Sequence, residues 1–278
     1  MKIIKKKKGN KEYFYLKKSF RKGNKILTKE IYLGKEIPKN IEEIKKEFQK
    51  ELYKKLENIK NNFQKEWTNL PETVKEKEKQ EISIAFTYNT NAIEGSTITL
   101  DEARGIIHDK ISPNKSLRDV KETEAHSKVF LKMLDENKEI SNKLLLRWHK
   151  EIFSELKSDI AGRYRNYLVR VANHIAPDWQ DVKKLMNELI KFTNTEKINP
   201  VELSAKVHYT FEKIHPFGDG NGRIGRLLMN HILWHSSYPM LIIEYKKRKS
   251  YYKAISKDEE SFVKYFIRRY LTVHKKRI

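Results

Sequence analysis

Residues 215–222 read His-Pro-Phe-Gly-Asp-Gly-Asn-Gly, three glycines and a proline in eight positions, and no regular element can run through them. Helical patterning stands on both sides. Asn199-Pro200 has the form of a helix start, and the helix it opens should run to about Ile214. A second should resume at about Gly222 and continue to His235. An irregular turn between two helices is therefore the fixed point of the fold.

The rest of the chain is mostly helical in pattern. Ile41, Ile44, Phe48, Leu52, Leu56, Ile59, Phe63 and Trp67 step by three or four and describe one long amphipathic helix. Pro71 suits the first turn of another helix, and Gly95 suits its C-terminal end. Thr99-Leu-Asp-Glu102 has the capping-box form for a short helix over 100–109. Further helices are expected at 116–136, at 142–156 behind Ser141, at 179–193 and at about 258–273. Residues 11–20 and 25–33 are rich in aromatic and branched side chains around Arg21-Lys22-Gly23-Asn24, and predict two short strands with a turn. Residues 167–175 are strand-like and end at Ala176-Pro177, which predicts a hairpin near 170. The architecture expected is mainly α, with a small β element at the N-terminus. Three segments follow: a basic β-rich element at 1–40, a helical segment at 41–110, and a final domain at 111–278.

The glycine turn also carries chemistry. Gly220-Asn221-Gly222 lets backbone N–H groups converge into an anion-binding nest, and the following helix adds its positive end at the same place. Arg223 and Arg226 can fork onto phosphate oxygens from the first turn of that helix. Asp219 is placed to hold a divalent cation, magnesium above all, since it enters such sites with a nucleotide. His215 ends the preceding helix, where a neutral imidazole can take a proton from an attacking hydroxyl. Phe217 is expected to face the core and fix the loop. A base, a metal ligand and a phosphate cradle within twelve residues describe phosphoryl or nucleotidyl transfer, and the absence of a Lys-Ser/Thr ending excludes a Walker A loop.

Composition removes other classes. With no cysteine there is neither a disulfide framework nor a thiolate metal site, which fits a reducing cytoplasm. His208 and His215 are seven apart with no HExxH framing, which argues against zinc; His126, His149, His208 and His231 are expected in packing or surface roles on helices. No apolar run approaches the ~20 residues of a membrane span, so no membrane association is expected. The lysine-rich start has no apolar stretch behind it and is not a secretory signal. The net charge of +22 raises nucleic-acid binding as an alternative role. Residues 1–40 hold 14 Lys/Arg against 3 Glu and supply half of that excess, so such a role would rest on this element.

Residues 215–226 resemble the Fic family signature HxFx[DE]GNGRxxR at every defined position. Gly162-Arg-Tyr-Arg165, Val169 to Pro177, Leu227-Leu-Met-Asn230 and Tyr251-Tyr252 resemble further family features in family order, over about residues 80–270. The resemblance implies a Fic-type helical bundle with a hairpin flap, and a protein adenylyltransferase. His215 would deprotonate a Ser, Thr or Tyr hydroxyl of a target protein, which attacks ATP at its α-phosphorus. Asp219 would hold Mg2+. Asn221 and the backbone of Gly220 and Gly222 would bind the α- and β-phosphates, Arg223 would assist at the β-phosphate, and Arg226 would pair with the γ-phosphate. Asn230, Tyr251 and Tyr252 are candidates for the adenosine pocket, although tyrosines at this spacing suit a core equally. Val169, Val171 and His174 lie in the segment that resembles the target-docking flap.

A second resemblance lies upstream. Thr90-Asn-Ala-Ile-Glu94-Gly95 is similar to the family's inhibitory motif [ST]xxxE[GN], and Thr90 and Glu94 share one helix face. It implies that Glu94 pairs with Arg226, removing the γ-phosphate anchor and restraining the chain from within. The same site run in reverse, with Glu94 positioning a water, would remove AMP from a modified protein; residue types do not separate the two directions. Self-modification and a homodimer are further implications. The intact Gly-Asn-Gly stretch argues against the family's kinase-like branch.

Overall fold

The computed structural model of this chain describes every residue except Met1, Asn10, Gly23, Asn24, Ala172 and Asn173. It divides into two compact units, Met1–Lys55 and Leu56–Ile278.

The first unit holds an antiparallel sheet of β1 (Lys2–Lys8), β2 (Lys11–Lys22) and β3 (Lys25–Gly34), in the order β1-β2-β3. Two strands were expected, and the lysine tract proves to be a third. The pairing explains it. Ile3 lies opposite Leu16 and Ile4 opposite Tyr15, so the two apolar residues of the tract meet apolar residues of β2. Its lysines meet acids: Lys6 Nζ lies 2.5 Å from Glu30, and Lys5 pairs with Glu12. Gly23 and Asn24 of the expected turn lie outside the described residues.

The helix α1 (Ile41–Thr68) follows the expected stripe. Within the second unit Leu56, Ile59 and Phe63 are buried, and Trp67 sets its ring edge-on to Trp234 at 5.1 Å. The helix α2 (Glu72–Ile93) has Pro71 at its N-cap and Glu94 at its C-cap, with Gly95 beyond it at φ 95°. Thr99 makes a complete capping box with Glu102, but the helix it starts is not uniform. The helix α3 (Leu100–Arg104) gives way to a π-helical turn at Gly105–Asp109.

The helices α4 (Leu117–Asp135) and α5 (Asn142–Phe153) are capped by Ser116 and Ser141. The hairpin is only two residues deep, β4 (Arg170–Val171) against β5 (His174–Ile175). A single 3-10 turn, Trp179–Asp181, leads into α6 (Val182–Thr195). The helices α7 (Pro200–Ile214) and α8 (Asn221–His235) flank the glycine turn. The helix α9 (Arg248–Ile255) was not foreseen, and α10 (Glu259–Val273) closes the unit behind an Asp258 cap.

The center of the second unit is the pair α7 and α8, with α6 and α10 against α7 and α2 packed on α4. Residues on every side of α8 are buried, from Asn221 through Leu233. A helix apolar on one face would lie at the surface; one buried all round lies inside. Its first turn, with Arg223 and Arg226, is thereby carried into the interior.

Candidate active site

The helix α7 ends at Ile214, and His215 follows it in the left-handed conformation, φ 51° and ψ 61°. A non-glycine residue is strained there and persists only where its surroundings hold it. Arg165 supplies that hold. Its buried guanidinium donates to the backbone carbonyls of His215 at 2.9 Å, Tyr167 at 2.8 Å and Pro177 at 2.6 Å. Its own N–H donates to the Pro216 carbonyl at 2.9 Å. The His215 ring is depressed in pKa, chiefly by burial, so it is neutral at physiological pH. Its Nδ1 is shielded from solvent and makes no well-formed hydrogen bond, which leaves Nε2 as the nitrogen able to meet a substrate.

Phe217 is fully buried, as expected, and stacks on His149 with ring centroids 4.0 Å apart and planes 9° apart. His149 is more than a packing residue. Its Nδ1 accepts from Gly162 N–H at 2.9 Å, so Nε2 carries the proton and donates to the Asp219 carbonyl at 3.0 Å. Burial takes its pKa down to about 4, which preserves this neutral tautomer.

Asn221 ties the loop to itself. Its Oδ1 accepts from Phe217 N–H and its Nδ2 donates to the Phe217 carbonyl, each at 2.8 Å. The side chain expected at the phosphates is thus occupied in shaping the turn. Gly220 has φ 76°, and a side chain there would run into the Phe153 ring. A Cβ on Gly222 would meet the Glu94 carboxylate and come within 2.9 Å of Arg226 Nη1. The turn leaves no room for side chains at either glycine, and the Glu94 carboxylate lies where a second anion, such as a phosphate, would meet its backbone.

Charges converge around it. Arg226 is buried, and its Nη2 donates to Glu94 Oε1 at 2.6 Å and to the Thr90 carbonyl at 3.2 Å. Burial opposes the guanidinium charge, yet Glu94 with Tyr251 and Glu212 together hold Arg226 above its usual range. Arg223 is buried over the Phe153 ring, paired with Glu122 and 3.5 Å from Asp219 Oδ1. The Asp219 carboxylate, 42% exposed, lies 2.5 Å from Lys157 Nζ. Burial would raise its pKa, but the Lys157 hydrogen bond and the Arg223 charge bring it below the usual range. A single partly exposed carboxylate beside a phosphate cradle suits magnesium, which keeps most of its waters and borrows ligands from the nucleotide. No cluster of three or more His, Cys, Asp or Glu side chains that could hold a metal ion occurs among the described residues.

The adenosine candidates separate. Asn230 is fully buried and clasps Leu241, donating to its carbonyl at 3.2 Å and accepting from its N–H at 2.8 Å. Tyr251 is buried with its hydroxyl 2.8 Å from His208 Nε2. Both are core residues because every polar atom they bring inside finds an internal partner. Tyr252 is half exposed and donates to the Ile93 carbonyl at 3.0 Å, fastening the end of α2. In the hairpin, Val169 accepts from Ala176 N–H at 3.2 Å, Val171 is exposed, and His174 Nε2 donates to the Lys213 carbonyl at 2.9 Å.

Residues 139–233 match the model of the Fic/DOC family. A protein adenylyltransferase Fic of Nematostella vectensis is 33% identical over 207 residues, 72% of this chain and 47% of that protein. One from Drosophila ananassae is 32% identical over 199 residues, 69% of this chain and 40% of that protein. The chain belongs to the Fic/DOC family. It spans less than half the length of these curated relatives. A Fic domain containing signaling protein from Bacteroides thetaiotaomicron superposes with a TM-score of 0.67 at 25% identity, covering 82% of this chain and 97% of that one. A Fic family protein from Desulfovibrio desulfuricans gives 0.70 at 26%, covering 81% and 73%. The mainly α Fic-type fold is common to all three.

Several residues around the Fic loop escaped the sequence analysis as site residues. Arg165, His149, Lys157 and Glu122 stand on other elements, and nothing local marks them as neighbors of the loop. Glu212 is the sharpest case. It sits three residues before His215, with Oε1 shielded from solvent and without a partner. Burial pushes its carboxyl up to about 7, against the pull of Arg226. Its only sequence signal was an acid on the inner side of α7.

Proposed function

We propose that this Fic protein is a protein adenylyltransferase held in check by Glu94. The observation that carries the reading is the convergence, on one turn, of a shielded neutral imidazole, a partly exposed carboxylate and a glycine cradle that holds the Glu94 carboxylate. The protein adenylyltransferase activity named for its relatives supports it.

The residues divide the work. Arg165 fixes the backbone of His215, so its ring is held before substrate arrives. A Ser, Thr or Tyr hydroxyl of the target, laid along the Val169–Ile175 hairpin, gives its proton to Nε2 of His215 as its oxygen bonds to the α-phosphorus of ATP. The bond from that phosphorus to the bridging oxygen breaks, and pyrophosphate leaves. The N–H groups of Gly220 and Gly222 and the positive end of α8 stabilize the charge on the phosphates. Mg2+ held by Asp219 would neutralize the α- and β-phosphate oxygens when bound. Arg226 would anchor the γ-phosphate once Glu94 withdraws.

The reverse reaction has one observation in its favor. Glu94 lies near enough to His215 for its charge to oppose part of the burial that keeps the ring neutral, the direction hydrolysis of an AMP-protein would need. Transfer of label from α-labelled ATP to the protein itself separates the readings. Labelling should appear on Glu94→Gly and vanish on Glu94→Gly/His215→Ala. Absence of labelling in all variants, with ATP binding intact, would overturn the transferase reading.

A further inference from the structure

Lys157 belongs to no motif of the chain. It lies in the turn after α5, its side chain 15% exposed, with Nζ 2.5 Å from Asp219 Oδ2 and 3.1 Å from Glu122 Oε1. The same ammonium stands 5.1 Å from the centroid of the Phe153 ring. The other Asp219 oxygen, Oδ1, accepts from Gly220 N–H at 2.5 Å and lies 3.5 Å from Arg223 Nη2. Both oxygens of the carboxylate assigned to the metal are therefore already engaged, and the cation facing Oδ2 is Lys157.

We infer that Lys157 is an internal counter-ion of Asp219, which a divalent cation must displace and which Glu122 then receives. The inference rests on the assignment of Asp219 as the metal ligand. An ammonium is a compact charge with three rotatable donors on a flexible stem, so it can pivot between two carboxylates without losing its ion pair. Glu122, 9% exposed, already accepts from it at 3.1 Å and so keeps its hold when Asp219 is taken, although Arg118 and Arg223 share that carboxylate. Leaving a buried ammonium without a counter-ion is costly, and handing it to Glu122 avoids most of that cost. Two cations crowded on one carboxylate repel, so bare metal is disfavored at Asp219. A metal that arrives with a nucleotide brings the phosphate charge that offsets the repulsion. Lys157 thus makes the site selective for the metal–nucleotide complex over free metal, as a positioning residue that touches neither substrate nor the reacting atoms.

The test uses the full chain and Mn2+ alone, with free Mn2+ read by electron paramagnetic resonance. Lys157→Met and Lys157→Gln, which remove the charge in two shapes, should bind bare Mn2+ at least about fivefold tighter than the unaltered protein. Lys157→Arg, which keeps the charge, should not. Adding Asp219→Asn to Lys157→Met should abolish the gain. Unchanged or weaker binding in both neutral variants overturns the inference, as does a gain that survives Asp219→Asn. A separate measurement, ATP affinity by calorimetry with Mg2+ and with EDTA, keeps the underlying assignment distinct. If Asp219→Asn abolishes the effect of Mg2+ there, Asp219 stands as the metal ligand whatever Lys157 does; if the effect persists, that assignment falls and the inference with it.

Discussion

Glu94 and Arg226 stand 132 positions apart in the chain and meet at 2.6 Å, the carboxylate packed against Gly222 of the glycine cradle. The contact proposed to close the site also neutralizes the most deeply buried guanidinium of the turn. Activity and stability are consequently linked through one ion pair. Glu94→Gly should increase self-labelling while lowering the stability of the nucleotide-free protein. The expected loss is about 1–3 kcal/mol, below the ~3–5 of a fully buried pair because Glu94 is partly solvated. Urea unfolding with and without ATP measures it, and ATP should restore part of the loss in the variant. Equal unfolding midpoints for the two proteins would contradict the linkage.

Arg165 makes its three shortest guanidinium hydrogen bonds to backbone carbonyls, one of them on His215 itself. A lysine keeps the charge but lacks the planar fork that reaches all three. Arg165→Lys should therefore cost about 2–4 kcal/mol of stability. It should also slow transfer at saturating ATP with little change in ATP affinity, because the nest does not depend on it. Calorimetry and rate measurements on the same preparation would separate the two effects; a fall in ATP affinity matching the fall in rate would count against this role.

Acid should unfold this protein earlier than its carboxylates alone would require. Burial lowers His126 and His208 to about 3, and His149, His231 and His274 to about 4. Unfolded, each returns to ~6.5. Below that value the unfolded chain binds more protons than the folded one, so stability is complete above about 6.5 and declines as pH falls toward about 4. Urea midpoints at pH 7.5, 6 and 5 should fall steadily. A flat series would refute the argument.

Glu212 works in the opposite direction. Burial raises its pKa to about 7 from an unfolded value of 4.5. The folded state therefore favors the protonated carboxyl, and the stability it contributes is complete below about 4.5 and lost as pH rises through about 7. Glu212→Gln, which imitates the protonated form, should stabilize the protein on the order of 1–3 kcal/mol at pH 8 and very little at pH 4.5. Thermal unfolding at the two pH values tests it; an equal effect at both would point to packing instead of charge.

The helix limits were legible because their causes lie within one or two turns. Ser116, Ser141, Asn199 and Asp258 each accept from an N–H two or three residues on, and each marks the start of its helix. The stripe from Ile41 to Trp67 likewise needs only the helical period. The turn at 215–222 was legible for a related reason, since its glycines and its charged residues are adjacent in the chain. Where local pattern and long-range pairing disagreed, pairing prevailed. The lysine tract at 2–8 has little strand character of its own and becomes a strand through its pairing with β2 and its ion pairs with Glu12 and Glu30.

What the sequence alone determined is the chemical inventory of the turn: a histidine, an aspartate, a phosphate nest and two arginines, in an order that permits nucleotidyl transfer. Only the tertiary structure decided how each is engaged. It gave Arg226 to Glu94, Arg223 to Glu122, Asp219 to Lys157 and the strained His215 backbone to Arg165. It also withdrew Asn230 and Tyr251 into the core. The reason is physical: a cap or a period is satisfied by near neighbors in the chain, whereas the partner of a buried charge is whichever opposite charge the packing of distant helices brings within reach.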